Sequence, residues 1–481
     1  MRSIAARGAV TVLWAKVLSV ILAQTGAVVL PLFLQPDDFG IFGVVIFFVG
    51  LVVLIGDFGF GTELIRRTER IDDALATAFS IRIILGFVLL GASVGIGFVI
   101  AIFYRDSRLF LATIVASLAL MIGVGTLVPR TLALRALNFK LAILPDQLGK
   151  IALAVSAISL AVLGWGYWSL VFASLVGPSV AVISYRRLVP WHVGWQIDRE
   201  IGKTIVNFGK FVTLGALAVF VANSVDKLII GYALGLTQLG YYFLAYSWAV
   251  GVPSSLQSIL GGVTYPIFGK LKGEPERLRR ALSEMFRLFS YMGVFVAFGI
   301  VAISDPFVGL VLGSQWAPAI MPMRILSAAG FSLGWVLISG DALNAIGKPR
   351  LVTWMHALGL ALVSFTLYPL AILFGLVGAA SSVSLGLVTL AALSRLLVNR
   401  ELHADLGTQL KVELLIPLAS GLLAVLSSLG AGLALPLSLF GLVLRFGIFV
   451  AAYVVSMQVI TRRRFLTELW SVTRMALRRS D

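Results

Sequence analysis

The chain is a succession of long apolar runs divided by short polar gaps. A helical run crosses about 30 Å of hydrocarbon in about 20 residues. Runs of that length lie near 10–34, 40–62, 78–103, 109–129, 143–164 and 167–185. Six more lie near 207–233, 239–266, 285–303, 321–346, 351–370 and 375–395, and a last pair near 412–434 and 437–460. The pattern predicts an all-α polytopic membrane protein with about fourteen transmembrane helices. They are expected as two six-helix bundles in parallel repeat plus a C-terminal helix pair. The expected organisation is a first bundle over 1–190, a cytoplasmic linker over 191–206 and a second bundle over 207–400. The additional pair follows over 411–460, then a basic tail over 461–481.

The polar gaps alternate in charge. Lys and Arg cluster in every second gap: around Arg66–Arg70, Arg130–Lys140, Arg186–Lys210, Lys270–Arg287, Lys348–Arg350, Arg395–Lys411 and after Arg462. The intervening gaps carry none, except Arg105 and Arg108. Basic residues are retained on the cytoplasmic side during insertion, so both termini are expected in the cytoplasm. The first run is too long for a signal-peptide core and lacks an Ala-x-Ala exit, so it reads as a span.

Composition agrees with this: 59% of residues are hydrophobic and 12% charged. A net charge of +16 would suggest nucleic acid in a soluble protein. Here the basic residues flank membrane ends, where insertion and anionic lipid account for them, and no nucleic-acid partner is expected. Cys is absent. His192 and His356 are isolated, and His403 sits by Glu401 and Asp405 without a second His, so no metal site is expected. Gly340 to Gly347-Lys348-Pro349 has the wrong spacing for a phosphate loop and Pro where Ser or Thr is needed. No cofactor and no enzymatic chemistry is expected. In the tail, Phe465, Leu469, Val472 and Ala476 share one face between Arg residues, the pattern of a surface-lying amphipathic helix.

The chain also repeats itself. Leu34-Gln-Pro-Asp-Asp-Phe39-Gly40-Ile-Phe42 aligns with Leu234-Gly-Leu-Thr-Gln-Leu239-Gly240-Tyr-Tyr242, an offset of 200 residues without a gap. A weaker echo pairs Gly164-Trp-Gly166 with Phe374-Gly-Leu-Val-Gly378. Six spans separate equivalents, so the halves have the same orientation and an axis along the membrane normal. Two such bundles with a seam between them are the usual build of an alternating-access transporter.

Several stretches resemble a known family. Leu34-Gln-Pro-Asp-Asp-Phe-Gly40, Arg135-Ala-Leu-Asn-Phe139-Lys140 and Gly164-Trp-Gly-Tyr-Trp168-Ser-Leu170 are similar to stations of polysaccharide-exporting flippases. So are Asn223-Ser-Val-Asp226-Lys227-Leu-Ile-Ile-Gly231, Leu312-Gly-Ser-Gln-Trp316-Ala-Pro318 and Asn344-Ala-Ile-Gly-Lys348-Pro349. The resemblance covers roughly residues 5–460. It points to the polysaccharide transporter branch of the superfamily that also holds multidrug extruders and peptidoglycan-precursor flippases. It implies export of an undecaprenyl-diphosphate-linked oligosaccharide from the inner to the outer leaflet of the bacterial plasma membrane. The implied partners are that lipid-linked oligosaccharide, membrane lipids and the polysaccharide polymerase machinery. An Arg common in the family before the first loop is replaced by Leu32, and its second-half counterpart by Tyr232, so no cation role transfers there.

A diphosphate crossing hydrocarbon needs cations in a hydrated cavity, with aromatics or amides for the sugars. Lys16, Arg82, Lys150, Lys227, Arg324 and Arg445 lie within spans. Lys16 and Lys227 sit on the leading helices of the two halves and are candidate substrate ligands. Lys227 follows Asp226 directly, so an ion pair is an equal alternative. Arg82, Lys150 and Arg324 read as snorkelling to an interface. Asn223 and Gln24 are candidate sugar contacts, against the alternative of helix–helix hydrogen bonding. Asp57, with no adjacent cation, is either a proton or sodium site or a partner of Lys16, and Asp226 is the second coupling-ion candidate. Asp341 and Asn344 read as structural. Two further classes stay in view. A multidrug/cation antiporter should have about twelve spans and an acid-dominated interior. A polymerase or ligase needs a large outer loop, which the short outer gaps do not supply.

Overall fold

In a computed structural model, which describes residues 2–191, 194–271, 273–402 and 410–461, the chain folds into helices throughout. The amphipathic tail, His192 and His403 lie outside the described residues. The chain divides into two compact units, Met1–Gly240 and Tyr241–Asp481.

The first unit contains α1 (Arg2–Val29), α2 (Pro36–Asp57), α3 (Phe60–Arg66), α4 (Ile71–Phe103), α5 (Arg108–Val124), α6 (Leu127–Arg135), α7 (Phe139–Val162), α8 (Tyr167–Leu188), α9 (Arg199–Ala222) and α10 (Val225–Leu234). It closes on the first residues of α11 (Leu236–Ala249). The second unit continues through α12 (Gly251–Lys270), α13 (Pro275–Phe307), α14 (Ile320–Ala345), α15 (Pro349–Leu402), α16 (Ile416–Ala434) and α17 (Leu439–Ile460). By length and composition, eleven helices among the described residues can cross a membrane, or twelve if the bent pair α5–α6 is one span. The sequence led us to expect fourteen. The two differences have a physical origin. α15 runs for 54 residues, roughly 80 Å at a helical rise, but breaks at Gly375 (φ +60°, ψ −142°), between two of the predicted runs. The predicted run 239–266 is divided at Val250 between α11 and α12.

The first-loop residues are the corner of the first unit. Asp38 closes a capping box with Gln35, accepting from its N–H at 2.9 Å. Its other oxygen accepts the Tyr167 N–H at 2.9 Å, at the start of α8. A Cβ on Gly166 (φ +52°) would sit 3.0 Å from that same oxygen, so two of the family-like stations meet on one carboxylate. Arg108, an exception to the charge alternation, is neutralised by Asp106 at 2.6 Å and Asp37 at 2.7 Å.

The 200-residue offset reappears as a reciprocal crossing. A Cβ on Gly40 would lie 1.9 Å from the Leu236 carbonyl oxygen, and one on Gly240 would lie 1.7 Å from that of Pro36. Between them Thr237 donates to Asp37 at 3.3 Å. The same two steps of the repeat therefore touch each other head to head, and only glycine fits at either.

At the end of α3, Arg135 donates to the carbonyls of Leu64 at 2.8 Å and Ile65 at 3.3 Å, and also to that of Arg67. It thereby closes the C-terminal end of α3. Asp198 caps α9 through the N–H groups of Glu200 and Ile201 and pairs with Arg70 at 2.7 Å. The Ile201 amide and the Arg70 guanidinium hold its carboxyl below the usual range. The Asp198 and Gln196 N–H groups donate to Thr77 and Ser80, so the linker lies along α4. Beneath it, Phe60, Leu64, Leu75, Leu127, Val128, Ile201 and Ile205 form a shared core of α3, α4, α6 and α9.

In the second unit, Phe286, Phe289, Trp335, Leu343, Met355 and Val398 join α13, α14 and α15. Tyr291, Val294, Phe449, Tyr453 and Met457 join α13 to the last helix pair. Arg395, counted from the sequence among cytoplasmic gap residues, is instead buried. It donates to Glu413 at 2.7 Å and to Asn399 at 2.6 Å, and its guanidinium lies 4.2 Å from the Phe286 ring centre. Ser283 donates to the second Glu413 oxygen at 2.6 Å. Arg445 closes the end of α16 by donating to the Gly432 carbonyl at 2.6 Å. Arg324 pairs with Asp305 and donates to Ser304 at 2.8 Å.

Candidate functional site

Two interrupted spans bring charge into the first unit. The predicted run 40–62 breaks after Asp57, where Phe58 (φ +39°) and Gly59 (φ +66°) both turn left-handed before α3 begins. A left-handed phenylalanine is strained, and such strain concentrates at working sites. A Cβ on Gly209 of α9 would lie 2.4 Å from the Phe58 carbonyl oxygen, so the break is held against α9 at closest approach. The run 109–129 bends by 42° between α5 and α6. In a membrane, a broken helix is tolerated where it is buried in protein or lines a cavity.

At the first break Asp57 meets Arg82 of α4 at 3.1 Å. From the sequence Asp57 is an ion site or a partner of Lys16, and Arg82 snorkels to an interface. The Arg82 expectation is corrected, because its side chain is buried and its partner lies 25 residues away on a helix that only the fold brings alongside. The exposures are unequal: the Arg82 side chain is 9% exposed and the Asp57 side chain 64%. Arg82 Nε is buried and meets no acceptor among the described residues. Arg130 of α6 lies close enough to repel Arg82. It pairs loosely, at 3.8 Å, with Asp146 of α7. Arg130 and Asp146 were not singled out from sequence. The signal that marks Asp146 was present, an acid within an apolar run beside Pro145.

A second polar group joins α1 to α7. Lys150 Nζ donates to Ser19 at 2.9 Å, and Ser19 donates to Gln147 Oε1 at 2.9 Å. Lys16 is half-buried one turn before Ser19 on α1. Gln24 is further along the same helix, its Oε1 buried without a partner among the described residues. Near α10, Lys227 Nζ lies 3.3 Å from Asp226 and donates to the Asn223 carbonyl at 3.2 Å. Asn223 Nδ2 returns to the Val219 carbonyl at 2.8 Å, a bond within its own helix. In the second unit Asp341 accepts from Thr264. Among the described residues no group of three or more His, Asp or Glu has the arrangement to hold a metal ion.

Comparison with known proteins follows the same lines. Residues 29–321 match the family model described as "Polysaccharide biosynthesis protein". The chain is 28% identical over 325 residues to the teichuronic acid biosynthesis protein TuaB of Bacillus subtilis, the match covering 66% of each protein. It is 26% identical over 335 residues to the lipopolysaccharide biosynthesis protein WzxC of Escherichia coli, covering 66% of this chain and 65% of that one. Among solved structures, the fold resembles the lipid II flippase MurJ in its inward closed conformation. The TM-score is 0.73 and the identity 11%, over 95% of this chain and 99% of that one.

Proposed function

From the membership of this chain in the polysaccharide biosynthesis protein family, we propose that it is a flippase. It carries a polyprenyl-diphosphate-linked oligosaccharide from the cytoplasmic to the outer leaflet by alternating access, for assembly of a surface polysaccharide. It is a multi-pass membrane transporter, not an enzyme. In this reading it crosses the membrane fourteen times, α15 counting twice and α11–α12 once, with both termini in the cytoplasm as the basic gaps require. The product passes to polysaccharide polymerase machinery.

One observation carries the reading. In the first unit the buried Arg82 meets a carboxylate, Asp57, that is itself 64% exposed, and Arg130 reaches Asp146 only at 3.8 Å. A buried guanidinium in low dielectric is costly and persists where a ligand of opposite sign, or water, adds to its compensation. A diphosphate of about −2 charge is such a ligand. An antiporter for organic cations needs the opposite sign. Lys16 and Lys227 are then substrate ligands, Gln24 and Asn223 sugar contacts, and Asp57 and Asp226 the carboxylates that change counter-charge during the cycle.

In cells, Lys16→Ala is expected to abolish surface polysaccharide while leaving membrane abundance of the protein intact, and Lys16→Arg to keep part of it. One charge-assisted contact is worth about 1.5–3 kcal/mol, so its loss weakens binding tenfold or more. Full surface polysaccharide with Lys16→Ala would remove Lys16 from the site. A deletion strain with unchanged polysaccharide but altered drug tolerance would favour the antiporter instead.

A further inference from the structure

Arg82 is an unusual cation for a membrane span. Snorkelling is closed to it, since its side chain is only 9% exposed. Among the described residues its carboxylate partner is Asp57, which stands largely in the open, and Nε still lacks an acceptor there. A guanidinium has five donors in a fixed fork, a shape that suits phosphate oxygens in pairs. A second guanidinium, Arg130, stands nearby with 56% of its side chain exposed and only a long contact to Asp146. Asp57 is the last residue of α2, ahead of two left-handed residues, so a small backbone rotation there carries its carboxylate away from Arg82.

The geometry points to Arg82, with Arg130, as a phosphate-oxyanion site, and to Asp57 as a placeholder that occupies it until the diphosphate arrives. This rests on the flippase reading and assigns the diphosphate a place within it. In the empty protein the Asp57 carboxylate compensates Arg82 from its open side. An arriving diphosphate presents oxygens to Arg82 and Arg130, and Asp57 swings into the hydrated space it already half occupies. The break at Phe58-Gly59, held against Gly209 of α9, passes that displacement to α3 and α9. Lys16 stands on α1, and Lys150 on α7 lies close enough to Asp146 to act on its charge. The ligand chemistry is shared by a prenyl diphosphate, a free diphosphate and an anionic phospholipid headgroup. The position at a helix break inside the unit favours the prenyl diphosphate.

Binding of geranylgeranyl diphosphate to the purified full chain in zwitterionic nanodiscs tests this, with geranylgeraniol, inorganic diphosphate and phosphatidylglycerol as competitors. Arg82→Gln is expected to weaken binding at least tenfold and Arg82→Lys to restore part of it. Asp57→Asn, which removes the competing carboxylate, is expected to tighten binding on the order of tenfold. The double variant Arg82→Gln/Asp57→Asn removes both charges and should fold even if one single variant does not, yet bind no better than Arg82→Gln. Unchanged affinity in Arg82→Gln or in the double variant, or weaker binding in Asp57→Asn, overturns the assignment while the flippase reading stands. Competition by phosphatidylglycerol equal to that of the prenyl diphosphate makes this a lipid site and overturns the assignment as well. Wild-type protein that ignores the prenyl diphosphate altogether contradicts the flippase reading itself.

Discussion

Glu413→Ala is expected to destabilise the protein by about 3–5 kcal/mol, because it leaves the Arg395 guanidinium uncompensated inside the second unit. The Arg395 and Glu413 side chains are 3% and 1% exposed, so solvent cannot take over. The pair ties the π-helical turn Lys411–Leu415, which leads into α16, to α15, while Ser283 of α13 holds the far side of the carboxylate. Breaking it should loosen the last helix pair from the bundle first. Hydrogen exchange is then expected to rise in α16 and α17 before α14. The double variant Arg395→Met/Glu413→Leu replaces both charges with apolar groups of similar size and should recover most of the loss. Thermal unfolding in detergent measures both. A double variant as unstable as the single one would show that the ion pair is not the source of the effect.

The crossing at Gly40 and Gly240 should be equally intolerant. Either Gly→Ala exchange puts a Cβ within 2 Å of a backbone oxygen, which cannot rotate aside as a side chain does. Overpacking of this kind costs about 1–3 kcal/mol, and against backbone more. We expect Gly40→Val or Gly240→Val to lower the thermal midpoint and to abolish surface polysaccharide. Gly91→Ala and Gly95→Ala, whose added methyl meets nothing within 4 Å, should do neither. Equal tolerance at all four positions, read from surface polysaccharide and the melting curve, would mean that the crossing opens freely.

The helical class and most spans were legible because hydrophobicity and loop charge act along the chain, within windows of about 20 residues. The sequence match was legible in the same way: Phe39-Gly40 and Leu239-Gly240 stand at one offset. Their mutual contact was not, since a one-dimensional match says nothing about which copies touch. The break after Asp57 was invisible because Phe58 and Gly59 leave the apolar run 40–62 unbroken; left-handed backbone has no hydropathy signature. The Asp57–Arg82 pair was missed for a related reason, a separation of 25 residues across two helices. Arg395 misled differently. Its position beside Arg400 suggested a loop, and only Glu413, beyond a polar stretch, explains why it is buried. Arg108 and Arg135 show the converse. The motif position of Arg135 and the break that Arg108 makes in the charge alternation were visible, but the carbonyls and carboxylates they serve were supplied by the fold.

Translocation in reconstituted vesicles tests the central claim most directly. Proteoliposomes containing the full chain and a polyprenyl-diphosphate-linked oligosaccharide labelled on its sugar are sampled with a glycosidase added outside. The account predicts that the purified chain makes label from the inner leaflet accessible within minutes, that protein-free vesicles do not, and that Arg82→Gln slows the process at least tenfold. Folded wild-type protein that leaves the inner-leaflet label protected, as in protein-free vesicles, would contradict it.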